Sequence, residues 1–163
     1  MSVTVFEATV DGSGMSIAIV QSRFNLKICE TLRTACLQEL SRLGVAPDDI
    51  FVCTVPGALE ISGALAKLAE TNQFDALIAL GAVIRGETYH FEVVADQSAA
   101  GIREVSHEFR VPIANAVLTT NTEEQAIVRS REKGAEAARV AVEMAEVYRA
   151  IDSLDDDDDP FED

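Results

Sequence analysis

Histidine and cysteine are scarce in this 163-residue chain, with two of the first and three of the second. His90 and His107 stand 17 residues apart, no HExxH is present and no Cys and His residues cluster, so no metal site is expected. Cys29, Cys36 and Cys53 show no CxxC spacing, and their odd number does not make a disulfide framework. They read as small buried apolar residues. A GxxxxGK[ST] loop and a GxSxG elbow are also missing, and Gly12-Ser-Gly14 precedes an apolar run instead of following one, which excludes a dinucleotide fingerprint. Any site must therefore work without an obvious cofactor. Long hydrophobic runs are lacking too. The longest, ending DALIALGAVI at residues 75–84, is about half a membrane span, and no basic stretch followed by an apolar one opens the chain. A soluble cytoplasmic protein with no membrane partner is expected.

Positive charge is the remaining shortage: 13 Lys and Arg stand against 28 Asp and Glu, a net charge of −15. Eight of the acids and none of the bases lie at residues 151–163, so the rest of the chain has 13 bases and 20 acids. DDDDDPFED cannot bury enough apolar surface to offset its ordering entropy, and residues 151–163 read as a disordered, solubilising tail, with an interaction role as the alternative. Both tail and body would repel a phosphate backbone, so nucleic acid is disfavoured as a partner. What the chain has is apolar residues, 48% of the total, enough for one core in a single domain over residues 1–150.

Strand and helix patterns alternate along that domain. MSIAIVQ (15–21), DIFVCTV (49–55), DALIALGAVI (75–84) and VPIANAVLT (111–119) are short, nearly continuous apolar runs, as in parallel strands covered on both faces. Between them, Cys29, Leu32, Cys36, Leu40 and Leu43 step by three or four, as do Phe91, Val94, Ser98, Ile102, Val105 and Phe109. Residues 57–71 make a shorter helix with Ile61, Leu65 and Leu68 inward, and Pro56 near its first turn. A capping box, Thr122-Glu-Glu-Gln125, opens a last helix that runs to about Ala150, with Gly134 as a candidate kink. The leading SVTVFEA alternates like an edge strand, pairing within its own sheet or with a neighbouring subunit. The predicted fold is a three-layer α/β/α sandwich on a four-stranded parallel sheet with right-handed crossovers.

In such sheets ligands gather at the carboxyl ends of the strands. Four polar or glycine-containing clusters fall there: Gln21-Ser-Arg-Phe-Asn25, Val55-Pro-Gly-Ala-Leu-Glu60, Arg85-Gly-Glu-Thr-Tyr-His90 and Thr119-Thr-Asn-Thr122. Phe24 either stacks on a planar heterocycle or caps the core. Glu60 either accepts hydrogen bonds from hydroxyls or is favourable charge at a helix start. Arg85, Gly86, Glu87 and Thr88 join strand to helix and present free amides and a hydroxyl, an anion site. His90 reaches the same space and, with a pKa near neutrality, suits general acid or base work, whereas His107 among Glu104 and Glu108 reads as a surface residue. Arg129 suits bidentate phosphate contact and Lys133 adds a point charge, unless both only form salt bridges with Glu132 or Glu136.

Those residues resemble the 6,7-dimethyl-8-ribityllumazine synthase family, which performs the penultimate step of riboflavin biosynthesis. The resemblance covers nearly all of residues 1–150 and rests on SRFN (22–25), VPGALEI (55–61), LGAVIRGETYHFE (80–92), VLTTNTEEQA (117–126) and KGAEAA (133–138). It implies a flavodoxin-like fold and condensation of 5-amino-6-(D-ribitylamino)uracil with 3,4-dihydroxy-2-butanone 4-phosphate, with no cofactor. It further implies that His90 shuttles protons, Phe24 and the neighbouring Asn25 meet the pyrimidine, and Ala58, Leu59 and Glu60 bind it and its ribityl chain. Ala82, Val83 and Ile84 would offer it backbone groups, Glu87 and Thr88 would hold the butanone phosphate, and Arg129, helped by Lys133, would bind that phosphate. Family members form pentamers, alone or in multiples, with sites between adjacent subunits. The chain departs from the family in three places. Asn115-Ala116 replaces a common Phe-Gly, exchanging an aromatic wall for a polar contact; Leu59 stands where Phe is frequent; and the segment from Arg129 to Gly134 is shorter than in several relatives. A non-catalytic flavin or lumazine carrier on the same scaffold is the alternative, and a flavodoxin-like phosphoacceptor would want an Asp where Ala82-Val83-Ile84 stands.

Overall fold

Ile17–Ser22 forms β1 with all six residues buried, which an uninterrupted IAIVQS run requires of a strand covered on both faces. In this computed structural model, which describes residues 1–155, β1 leads to α1 (Leu26–Arg42), β2 (Ile50–Val55), a 3-10 turn (Ala58–Glu60) and α2 (Ile61–Glu70). Then follow β3 (Ala76–Ile84), α3 (His90–Phe109), β4 (Ile113–Thr120) and α4 (Glu123–Asp152). The four strands are parallel, in the order β2-β1-β3-β4. The α/β sandwich expected from the sequence is therefore the fold.

The chain steps from β1 outward to β2, then crosses back over β1 to β3 and on to β4. Right-handed crossovers turn that reversal into a change of face. On one face Ile17, Ile19, Ile78 and Leu80 pack with Leu32, Cys36 and Leu40 of α1 and with Ala138, Ala141 and Val142 of α4. On the other, Ala18, Val20, Leu77 and Ala79 pack with Ile61 and Leu65 of α2 and Ile102 and Val105 of α3. Each fully buried Leu or Ile contributes about 1.5–3 kcal/mol, so these two layers fix the frame. The reversal point lies between β1 and β3, where a crevice opens at the carboxyl ends.

Helix ends follow from local chemistry. At the end of α1, Gly44 takes φ +95°, and the amides of Gly44 and Val45 donate to the carbonyls of Ser41 and Leu40 at 3.1 and 3.0 Å, a Schellman closure that a Cβ would strain. At the start of α4, Thr122 Oγ1 accepts from the Gln125 amide at 3.2 Å, as the capping box requires. The reciprocal arm differs by one residue: Gln125 Oε1 accepts from the amide of Asn121, not Thr122, at 2.9 Å.

Gly134 does not break α4, which runs continuously from Glu123 to Asp152. Its role is close approach: a Cβ there would lie 2.3 Å from the Leu32 carbonyl oxygen of α1. Glycine lets the two backbones touch, and the helix tolerates it because α4 is held by packing on α1. The leading segment also differs from expectation. Residues 1–12 form no strand and join no edge of this sheet. Val3, Val5 and Phe6 stand exposed, and the amides of Thr9 and Asp11 donate to the Glu146 carboxylate on α4. The start of the acidic tail, Ile151 and Asp152, still belongs to α4, and residues 156–163 lie outside the described part of the chain.

Candidate active site

β3 outruns β1. Its ladder with β1 ends at Leu80 opposite Gln21, while its ladder with β4 continues through Ile84 opposite Thr120. On the β1 side β3 therefore has no strand partner beyond Leu80, and the peptide groups of Ala82 and Ile84, which alternate with those turned to β4, border the crevice. One is already used: Asn25 Nδ2 donates to the Ala82 carbonyl at 3.0 Å. Asn25 holds a left-handed φ of 59° at the start of α1, a conformation that Asn tolerates better than most residues. It ties the β1–α1 turn to β3 and does not itself line the cavity.

The cavity at this point has a volume of about 510 Å³. Phe24 from the β1–α1 turn, a residue 72% exposed, forms one wall. That turn is fastened to the next one, since the amides of Arg23 and Phe24 donate to the carbonyls of Val55 and Pro56 at 2.9 and 3.2 Å. The 3-10 turn adds Ala58, Leu59 and Glu60. A Cβ on Gly57 would come within 3.2 Å of Glu60 Oε2, so the missing side chain leaves room for that carboxylate to fold over the turn. Ala82, Val83 and Ile84 form the floor, and Thr88 and His90 the far rim. His90 is the first residue of α3, exposed, and its amide donates to Thr88 Oγ1 at 3.4 Å. The arrangement offers a flat apolar slot with a row of peptide groups, a carboxylate at one end and an imidazole beside a helix start at the other.

Nine of the expected side chains line this one cavity: Phe24, Ala58, Leu59, Glu60, Ala82, Val83, Ile84, Thr88 and His90. Glu87 is exposed in the turn and lies off its lining. Asn115, Arg129 and Lys133 are elsewhere. They line a second concavity of about 540 Å³ between β4 and the start of α4. There Arg129 Nη1 donates to the Gln125 carbonyl at 2.9 Å, and Asn115 Oδ1 accepts from the Val117 amide at 2.9 Å. Lys133 pairs with Glu136 at 3.2 Å, one of the two salt bridges its spacing offers. Phe91 and Val94 read in the sequence as inward core positions of α3, yet both also line the first cavity, as does Pro56. The i, i+3 spacing of Phe91 and Val94 directly after His90 was the available signal.

Among the described residues no group of three or more potential metal ligands comes together, and no helix is long and apolar enough to cross a membrane. The cysteines are free. Burial raises the pKa of all three thiols, that of Cys36 to about 12. Glu92, two residues beyond His90, moves the other way, because the hydrogen bond from Arg85 holds its carboxyl below the usual range.

A parallel sheet wound on both faces, with an apolar cleft and an imidazole at the carboxyl ends, defines a flavodoxin-like α/β protein with a cleft of small-molecule size. Residues 14–149 match the family described as 6,7-dimethyl-8-ribityllumazine synthase. Proteins of that name from Burkholderia mallei and Burkholderia pseudomallei are 60% identical over 158 residues, covering 97% of this chain and 91% of theirs. One from Burkholderia multivorans is 59% identical over 157 residues, covering 96% and 91%. The chain belongs to the 6,7-dimethyl-8-ribityllumazine synthase family.

Proposed function

We propose that this protein condenses 5-amino-6-(D-ribitylamino)uracil with 3,4-dihydroxy-2-butanone 4-phosphate to 6,7-dimethyl-8-ribityllumazine, releasing phosphate and water. The observation that carries the assignment is the company His90 keeps: an aromatic face, the unpaired border of β3 and the Glu60 carboxylate share its cavity. A pyrimidine would sit between Phe24 and the border of β3, where the crevice-facing peptide groups of Ala82 and Ile84 would satisfy its ring edge. Glu60 accepts from the ribityl hydroxyls. The second substrate brings its phosphate to the turn at Gly86 and Thr88, beside the start of α3, where free amides favour an anion. With the amine and ketone held together, imine formation needs little more than orientation. His90 then takes and returns protons as phosphate leaves and the ring closes.

Arg129, Lys133 and Asn115 enter this scheme only if the second concavity of one copy closes over the first cavity of another. We read the protein as a ring of copies, pentameric as the family resemblance implies, with each site shared by two neighbours. Three features support the reading. All the expected site residues but Asn25 and Glu87 divide between two concavities, β4 is an open sheet edge, and Val3, Val5 and Phe6 of the leading segment stand exposed. β2, the opposite edge, is available to receive that segment from a neighbour. Under this reading Arg129 supplies the guanidinium for the phosphate, and Asn115 the polar contact in place of an aromatic one.

The test combines turnover with complementation. Purified protein mixed with both substrates should yield lumazine absorbance and an equivalent of phosphate. His90→Ala and Arg129→Ala chains, unfolded and reassembled together, should regain both native groups at about a quarter of the sites in a head-to-tail ring. The mixture should then exceed the mean activity of the two variants. Pyrimidine binding without product would refute the condensation, and a mixture no better than that mean would refute the shared site.

A further inference from the structure

Arg85 lines neither concavity, yet its guanidinium is the most heavily engaged cation near the site. Its Nη1 pairs with the Glu92 carboxylate on the first turn of α3. Its Nε donates to Asn121 Oδ1 in the β4–α4 turn at 2.9 Å. Its Cζ lies 4.3 Å from the centroid of Phe91, a cavity wall. Its own amide donates to the Thr120 carbonyl at 2.9 Å. One planar group thus binds the two residues that follow His90 and the last turn before α4.

The turn it spans is otherwise lightly held. Among the described residues, the one side-chain tether between Gly86 and His90 is the bond from the His90 amide to Thr88 Oγ1, at 3.4 Å. Tyr89 supplies no side-chain cap to α3. We infer that Arg85 is a positioning residue for the reaction: its fork fixes the β3–α3 turn and the start of α3, and through them the imidazole of His90 and the amides that receive the phosphate. Arginine suits this place because three partners in different directions need a rigid planar donor stacked on an aromatic face. A lysine would satisfy one carboxylate and release the rest. Asn121 also lines the second concavity, so the same guanidinium joins the wall of one cavity to the rim of the other.

The inference rests on the condensation proposed above, and its test separates the two. In steady-state assays of assembled protein, Arg85→Ala should raise KM for the butanone phosphate about tenfold or more and lower kcat, as expected when a charge-assisted hydrogen bond is lost. Equilibrium binding of a ribityl pyrimidine, which meets Phe24 and residues 82–84, should stay within about twofold, because none of its contacts depends on the turn. Arg85→Lys should fall between the wild type and Arg85→Ala. Arg85→Ala combined with Glu92→Gln should be no worse than Arg85→Ala alone. Glu92→Gln, an exchange at the helix surface, supplies the same KM measurement if Arg85→Ala does not fold. An unchanged KM for the phosphate substrate in a folded variant, or equal loss of both substrates, would overturn the positioning role. A wild-type protein that makes no lumazine would instead overturn the condensation.

Discussion

Replacing Gly134 with alanine adds one methyl group to a helix, and for an exposed glycine that exchange stabilises by about 1 kcal/mol through helix propensity. Here the sign should reverse. The new Cβ would sit 2.3 Å from the Leu32 carbonyl oxygen and 3.0 Å from its carbonyl carbon, and the obstacle is backbone, not a side chain that can rotate away. To clear it, α4 must withdraw from α1 by most of an ångström, loosening the layer of Ala137, Ala138 and Ala141 against α1. Overpacking of this kind costs about 1–3 kcal/mol, enough to cancel the propensity gain and leave a net loss. Gly63 in α2 is the internal control, since it is exposed and a Cβ there would meet nothing within 4 Å. Urea denaturation of both variants at one protein concentration, so that any assembly contributes equally, should move the midpoint down for Gly134→Ala and up for Gly63→Ala. Two equal upward shifts would refute the claim that Gly134 exists for helix contact.

Other outcomes follow from the same coordinates. His90→Ala should lower kcat by no more than the 10²–10⁴ typical of a lost general acid–base group, with lumazine still formed at a measurable rate; complete inactivity of the folded variant would count against catalysis by orientation. Thr122→Ala removes the acceptor for the Gln125 amide and should cost about 1 kcal/mol, seen as a lowered melting temperature, and an unmoved transition would contradict the cap. Thiol titration with an aromatic disulfide at pH 8 should be slow in the folded protein, with half-buried Cys53 first and Cys36 last. All three should react promptly in denaturant, and a fast stoichiometric reaction of the native chain would show that burial does not protect them.

Much of the frame was legible because both its periods are local. The runs at β1 and β3 carry their covered state in consecutive apolar residues, and α1 and α3 carry theirs in steps of three and four. The Thr122 cap was equally visible, being contained within four residues. What escaped depends on partners remote in sequence. Gly134 looks like a helix breaker until Leu32 is seen against it. Arg85 looks like one more member of an anion turn until Asn121, 36 residues away, closes on it. Phe91 and Val94 kept the inward orientation their spacing promised, but at the open end of the sheet inward means facing the cavity. The separation of Arg129 from His90 has, on the shared-site reading proposed above, a different cause: no pattern within one chain records which residues would face each other across two copies.

The bare border of β3 carries a consequence for inhibition. A pyrimidine mimic that binds the main chain of residues 82–84 would rely on atoms every amino acid possesses. Drug resistance by exchanging a codon there could reshape the groove, but it could not delete the donors and acceptors themselves. Escape would have to come from the walls, at Phe24 or Leu59, which on the proposed reading also meet the enzyme's own substrate.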